Sequence, residues 1–169
     1  VIMFCDLRGF TTLSEGKMPF DVVFILNKYF KLVTDAVTEN QGRIDKFIGD
    51  GVMAIFDQDH NTSLNCKNAL RASSEITESL ADLNSELSNE EIDPLRIGIG
   101  IHTGKAIIGK MGYGEASSET AIGDTVNVAS RLEQLTKNYS CQLMFSNAVA
   151  EEALLDKSKL KSVKTEIRG

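Results

Sequence analysis

The chain is short of several features that would settle its class quickly. Of 169 residues, two are histidine and three are cysteine, and Cys5, Cys66 and Cys141 show no metal-ligand spacing. Lying in apolar or amphipathic stretches, the cysteines are expected to be reduced core residues of a cytoplasmic protein. A basic run is also missing, and the net charge is −6, which argues against a nucleic-acid partner. No stretch approaches the length of a membrane span, and no signal peptide is visible. An initiator methionine is absent too, and Val1 to Cys5 is already an apolar run of strand length. A fragment of a longer protein is therefore expected, with regulatory or sensor domains elsewhere in it.

What remains is ordinary in bulk, with 42% apolar and 25% charged residues. One globular domain spanning 1–169 is predicted, long enough to bury roughly two thirds of its unfolded surface.

The informative stretches are local. The first apolar run ends in a carboxylate, Asp6. Arg43 to Ile48 and Val52 to Phe56 are two more strand-like runs, joined through Gly49-Asp50-Gly51. They read as a hairpin with Asp50 at its tip. If the first strand lies beside that hairpin, two acids meet at one sheet edge, where they repel unless a cation or shared proton compensates. With no His or Cys in these motifs, hard oxygen ligands point to Mg²⁺ or Mn²⁺ rather than zinc. Taken singly, Asp6 reads as a loop cap and Asp50 as a turn residue; the pairing is what gives them weight.

Along the rest of the chain, Gly9 to Met18 reads as a loop and Pro19 as the first turn of a helix. Val22, Val23, Leu26, Tyr29, Phe30, Val33 and Val37 give that helix its stripe, to about Asn40. A second helix is predicted over Thr62 to Leu87. Leu95 to His102 reads as a strand, with Lys105 to Gly109 pairing back on it as a hairpin. Gly112 to Glu119 reads as a loop. Asp124 is expected to cap a helix whose buried stripe is Val126, Ala129, Leu132 and Leu135. Gln142 to Phe145 reads as a short strand, Ser146 as the cap of a helix to about Leu155, and Ser162 to Ile167 as a last strand. The element order is that of an α+β ferredoxin-like sandwich, a βαββαβ core with additional C-terminal strands and helices.

Gly104-Lys105 is not a phosphate loop. That pattern needs a glycine where Ile99 stands and Ser or Thr where Ala106 stands. His102 is expected to be a strand residue at a turn rather than a general base.

Three segments carry a resemblance. Phe4-Cys5-Asp6-Leu7-Arg8-Gly9-Phe10, Asp45-Lys46-Phe47-Ile48-Gly49-Asp50-Gly51, and Thr120 through Arg131 resemble, in order, the signature segments of class III nucleotidyl cyclase catalytic domains. The resemblance runs over nearly the whole chain. It implies the class III nucleotidyl cyclase fold and an adenylyl cyclase that makes cyclic AMP and pyrophosphate from ATP. Asp6, Asp50 and the Leu7 carbonyl would hold two Mg²⁺ or Mn²⁺ ions. Asn127 would orient the ribose and Arg131 would steady charge on the α-phosphate; the two lie four residues apart, on one helix face. Backbone N–H groups of Gly9, Phe10 and Thr11 would cradle the outer phosphates, and Arg96 and Arg168 match family phosphate binders.

Lys46 and Thr120 match the purine-reading positions. Lys can donate to adenine N1, which is not an acceptor in guanine, whereas Thr can donate or accept and by itself discriminates less. The resemblance further implies a homodimer with two shared sites. Asp6, Asp50 and Arg96 would serve one half of a site, and Lys46, Thr120, Asn127, Arg131 and Arg168 the other. A guanylyl cyclase is the nearest rival, with Lys46 and Thr120 against it. An inert dimerising nucleotide-binding module is another, although such domains usually lose a metal acid or the Asn/Arg pair. A diguanylate cyclase is set aside because its Gly-Gly-Asp/Glu-Glu-Phe turn is absent.

Overall fold

The computed structural model describes residues 1–89, 92–114 and 117–165. Among these residues seven strands and five α-helices follow in the order β1 (Ile2–Leu7), α1 (Phe10–Glu15), α2 (Pro19–Glu39), β2 (Arg43–Ile48), β3 (Gly51–Ile55), α3 (Thr62–Ser88), β4 (Ile97–His102), β5 (Ile107–Met111), β6 (Ser118–Ile122), α4 (Asp124–Asn138), β7 (Leu143–Phe145) and α5 (Asn147–Glu152). Five strands form one sheet in the order β2-β3-β1-β4-β7, and β5 pairs with β6 apart from it. Within the large sheet β1 runs antiparallel to β3 and β4, and β7 parallel to β4. Read without β7, the order β2-β3-β1-β4 is the ferredoxin-like arrangement expected for βαββαβ connections. No helix among the described residues is long and apolar enough to cross a membrane.

Period-two alternation on β1 divides the core. Met3, Cys5 and Leu7 pack with α2 and α3, whereas Ile2 joins Met53, Ile55, Ala121 and Ala129 on the opposite face. Asp6 shares the parity of Ile2 and Phe4, so it belongs to the face that α4 covers. On α2 the buried residues are Ile25, Tyr29, Val33, Ala36 and Val37, one stripe at helical spacing. The Tyr29 hydroxyl donates to Cys5 Sγ at 3.3 Å, which satisfies a polar group in an otherwise dry layer. The apolar pattern of α2 is wider than its buried stripe, and Val23 and Phe20 stay exposed.

Two glycines let α4 lie directly on β4. A methyl group at Gly100 would fall 2.8 Å from Glu133 Cα, and closer still to the Glu133 amide and the Ala129 carbonyl. One at Gly98 would strike the Arg8 guanidinium and the Thr136 hydroxyl. Gly100→Ala is expected to push helix from strand and cost about 1–3 kcal/mol, as overpacking does. Denaturant unfolding would measure it, and an unchanged midpoint would mean the seam can relax.

Several expectations from sequence are corrected. Gly9 to Met18 is not all loop, because Phe10–Glu15 is helical, opened by Gly9 at φ 69°. Lys105 to Gly109 does not pair back on β4; its strand pairs with β6, which rises from the stretch read as a loop. Gly123, not Asp124, is the N-cap of α4, and no side chain caps it. The stripe of α4 is narrower than Val126 and Leu135 implied, with Thr125, Ala129, Leu132, Glu133 and Thr136 buried. Cys141 is exposed, while Cys5 and Cys66 are buried, and all three are free thiols. Ser146 does cap α5, accepting from the Val149 amide at 3.4 Å, but that helix ends at Glu152. Ser162 to Thr165 form no strand, and the remainder of that predicted strand lies outside the described residues.

Candidate active site

β1 and the β2–β3 turn bring Asp6 and Asp50 together. Cys5 pairs with Val52, so the next residue of β1 meets Gly51 at the start of β3. Having no side chain, Gly51 leaves room there: a methyl group on it would stand 3.2 Å from Asp6 Oδ1. Gly49, at φ 62°, makes the tight turn that sets Asp50 beside Asp6. The Asp6 carboxyl is pushed up from 3.8 to about 6, chiefly by burial and then by the charge of Asp50, which is near enough to share a hydrogen bond with it. Two crowded oxygen donors with this repulsion between them fit a hard divalent cation, and they match the one or two carboxylates that Mg²⁺ usually takes from protein. Leu7, whose carbonyl was assigned to the same ions, is the last residue of β1 and has a buried side chain.

Behind Asp6 lies an ion pair that the sequence reading did not assign. Arg8 Nη2 sits 3.2 Å from Glu133 Oε1 and donates to the Glu133 carbonyl at 3.1 Å. Burial pushes the Glu133 carboxyl up, and Arg8 pulls it back down. The Arg8 amide also donates to the Arg96 carbonyl at 2.6 Å. One arginine thus fastens the end of β1 both to α4 and to the residue before β4. Arg96 itself is exposed. Gly9, Phe10 and Thr11 open α1, so the amides assigned to phosphate lie at a helix start.

Lys46 and Thr120 come together from different sheets, through a residue the motif contained but the reading left without a role. Thr120 Oγ1, on β6, donates to Asp45 Oδ2 at 2.6 Å, and Lys46 Nζ lies 3.4 Å from the same oxygen. Asn127 and Arg131 project one turn apart from α4. Asn127 is exposed; Arg131 is half-buried, and its Nη1 is buried with no hydrogen-bond partner. A buried guanidinium nitrogen without an acceptor is a donor held ready for an anion. Arg168 lies outside the described residues. Among the described residues no hydrogen bond or ion pair links Asp6 or Asp50 to Lys46, Thr120, Asn127 or Arg131.

The rejected features stay structural. Thr125 Oγ1 donates to the Lys105 carbonyl at 2.6 Å, tying the Gly104-Lys105 turn to α4. His102 ends β4, shares a 2.8 Å hydrogen bond between Nδ1 and Ser146 Oγ, and has its pKa lowered by burial.

The model of the adenylate and guanylate cyclase catalytic domain family matches residues 1–166. The chain belongs to that family. It is 41% identical over 152 residues to an adenylate cyclase of Anabaena cylindrica, a match that takes in 88% of this chain and 29% of that protein. The chain therefore spans less than a third of the length of that relative. Among solved structures, a bacterial light-regulated adenylyl cyclase superposes with a TM-score of 0.81 at 35% identity, covering 89% of this chain and 43% of that one. The guanylyl cyclase Cya2 superposes equally well, with a TM-score of 0.81 at 32% identity over 90% of this chain and 76% of that one. The overall shape thus defines the class III cyclase fold and does not by itself choose the purine.

Proposed function

We propose that this domain is an adenylyl cyclase that converts ATP to 3′,5′-cyclic AMP and pyrophosphate as a homodimer with two shared sites. The observation that carries the reading is the convergence of the Asp6 and Asp50 carboxyls at the sheet edge. Together with the Leu7 carbonyl they would hold two Mg²⁺ or Mn²⁺ ions. When bound, such ions supply Lewis-acid activation of the ribose 3′-hydroxyl and neutralise the triphosphate.

The other roles fall to the chain itself. In the reaction the 3′-oxygen bonds to the α-phosphorus, the bond from that phosphorus to the β-phosphate bridge breaks and its electron pair leaves with pyrophosphate, and the hydroxyl proton passes to a phosphate oxygen or to water. Arg131 donates to the α-phosphoryl oxygens as charge grows there, a task suited to a planar, permanently charged fork. Asn127, one turn earlier, orients the ribose. Arg96, Arg168 and the amides of Gly9, Phe10 and Thr11 hold the outer phosphates. Lys46 donates to adenine N1, and Thr120 meets the 6-amino group. Catalysis is then mostly positioning and charge neutralisation.

A twofold dimer follows from the division of labour. Among the described residues no hydrogen bond or ion pair joins the acids to the Lys46, Thr120, Asn127, Arg131 group, and both sets are present in one chain, as two equivalent sites require. The test is an assay of the purified domain with ATP and GTP in parallel, with Mg²⁺ or Mn²⁺, over a range of protein concentrations. Cyclic AMP formed at a rate per chain that rises with concentration is expected. Preferential formation of cyclic GMP would reverse the purine assignment, and a concentration-independent rate would remove the shared site.

A further inference from the structure

Simple alternation would turn neighbouring side chains of β2 to opposite faces, and at Asp45 it breaks down. Ile44 pairs with Ala54 but Lys46 pairs with Met53, so Asp45 is an extra residue in the strand. Such a bulge re-aims side chains, and here it brings Asp45 and Lys46 to the same place. The Asp45 side chain is 0% exposed, against 40% for Lys46. Its Oδ2 faces both Lys46 Nζ and the Thr120 hydroxyl, while its Oδ1 is buried without a hydrogen-bond partner. A carboxylate enclosed this fully persists only with compensating donors. Among the described residues, Lys46 and Thr120 are the two it has.

We propose that Asp45 is a positioning residue for purine choice, acting through Lys46 and Thr120; this rests on the reading that those two face the base. A carboxylate oxygen has no proton to offer, so the Thr120 hydroxyl spends its one hydrogen on Asp45 and turns only lone pairs to the ligand. Adenine carries an amino donor at C6, and guanine carries a carbonyl acceptor there. A freely rotating threonine serves either group. A threonine held by Asp45 serves the amino group alone, which supplies the discrimination that threonine by itself lacks. The same carboxylate holds the Lys46 ammonium beside Thr120, so both reading groups are fixed before nucleotide arrives. It follows that exchanging Lys46 for Glu, an acceptor for the N1–H of guanine, together with Thr120 for Cys would set a second carboxylate against a buried one. That exchange needs a third change at Asp45.

The experiment measures kcat/KM for ATP and GTP with the domain and its variants. Asp45→Ala is expected to lower the ATP-to-GTP ratio by about tenfold, the scale of one lost directed hydrogen bond to a base. Lys46→Glu with Thr120→Cys is expected to leave both nucleotides poor substrates, and adding Asp45→Asn to that pair is expected to bring GTP turnover up by at least about tenfold. Loss of folding would lower both rates by one factor and leave the ratio untouched. A ratio unchanged in Asp45→Ala protein that melts like the parent, or GTP turnover by the double variant equal to that of the triple, overturns the inference even where the parent protein remains ATP-selective. The pair and triple variants decide the matter if Asp45→Ala does not fold. A parent protein that prefers GTP overturns the ATP reading itself, and this inference with it.

Discussion

Asp50→Asn is expected to abolish cyclisation while leaving the ion-free domain at least as stable as the parent. The two effects have one cause. Asp50 adds to the burial that raises the Asp6 carboxyl to about 6 from 3.8, so without an ion the pair is a local liability. The sign can be followed through pH. An unfolded Asp keeps its ordinary value, so the folded state binds this proton more tightly. The stability Asp6 lends is whole below the unfolded value of 3.8 and is lost as pH rises through the folded value of about 6. Asn at position 50 removes the second cause and leaves burial, so the loss shrinks. With Mn²⁺ added, the parent is expected to gain melting temperature by mass action, and the variant to gain little. Turnover should fall by at least about a hundredfold, since even residues that merely support metal ligands cost ten- to a hundredfold when removed. Thermal melts in chelator and in Mn²⁺, alongside the activity assay, separate the outcomes. Near-parental turnover would refute the metal assignment.

Mixing two dead proteins is the second large effect. Asp6→Ala lacks the acid half of every site, and Arg131→Ala lacks the phosphate-binding half of every site. If sites are shared across a twofold axis, a mixed dimer has one site carrying both lesions and one carrying neither. Random exchange at equal amounts makes half the dimers mixed, and each has one of two sites intact. Recovery of about a quarter of parental activity is therefore expected. Mixed dimers shown by tagged copies, with no recovered activity, would contradict a site built from two chains.

The sequence made some of this plain and hid the rest for identifiable reasons. β1, β2 and β3 were legible because apolar runs of strand length flank a Gly-Asp-Gly turn. α2 and α3 were legible because Tyr29, Val33 and Val37, or Ile76, Leu80, Leu83 and Leu87, keep helical spacing, although the buried Ile25 was left out of the α2 stripe. The β5–β6 hairpin was not, because its second strand reads Ser118-Glu119-Thr120-Ala121-Ile122, whose two buried residues adjoin instead of alternating. The helix after Gly9 was hidden for another reason, since it buries none of its residues and so leaves no stripe. In the site, Asp6, Asp50, Lys46 and Thr120 stood out by motif. Asp45 did not, because only a slip in strand pairing turns it toward Lys46. Arg8 and Glu133 are 125 positions apart, and no local pattern links them.

The glycine seam between α4 and β4 has a mechanical consequence. Asp6 lies on the strand beside β4, and Asn127 and Arg131 ride on the helix pressed against it. Because Gly100 brings the strand against the helix backbone with little bulk to absorb a shift, strand and helix are expected to move together as one lever. In the proposed pair each lever reaches into both catalytic clefts, so tightening one cleft tugs on its twin, and a small twist delivered by flanking segments would be felt at both together.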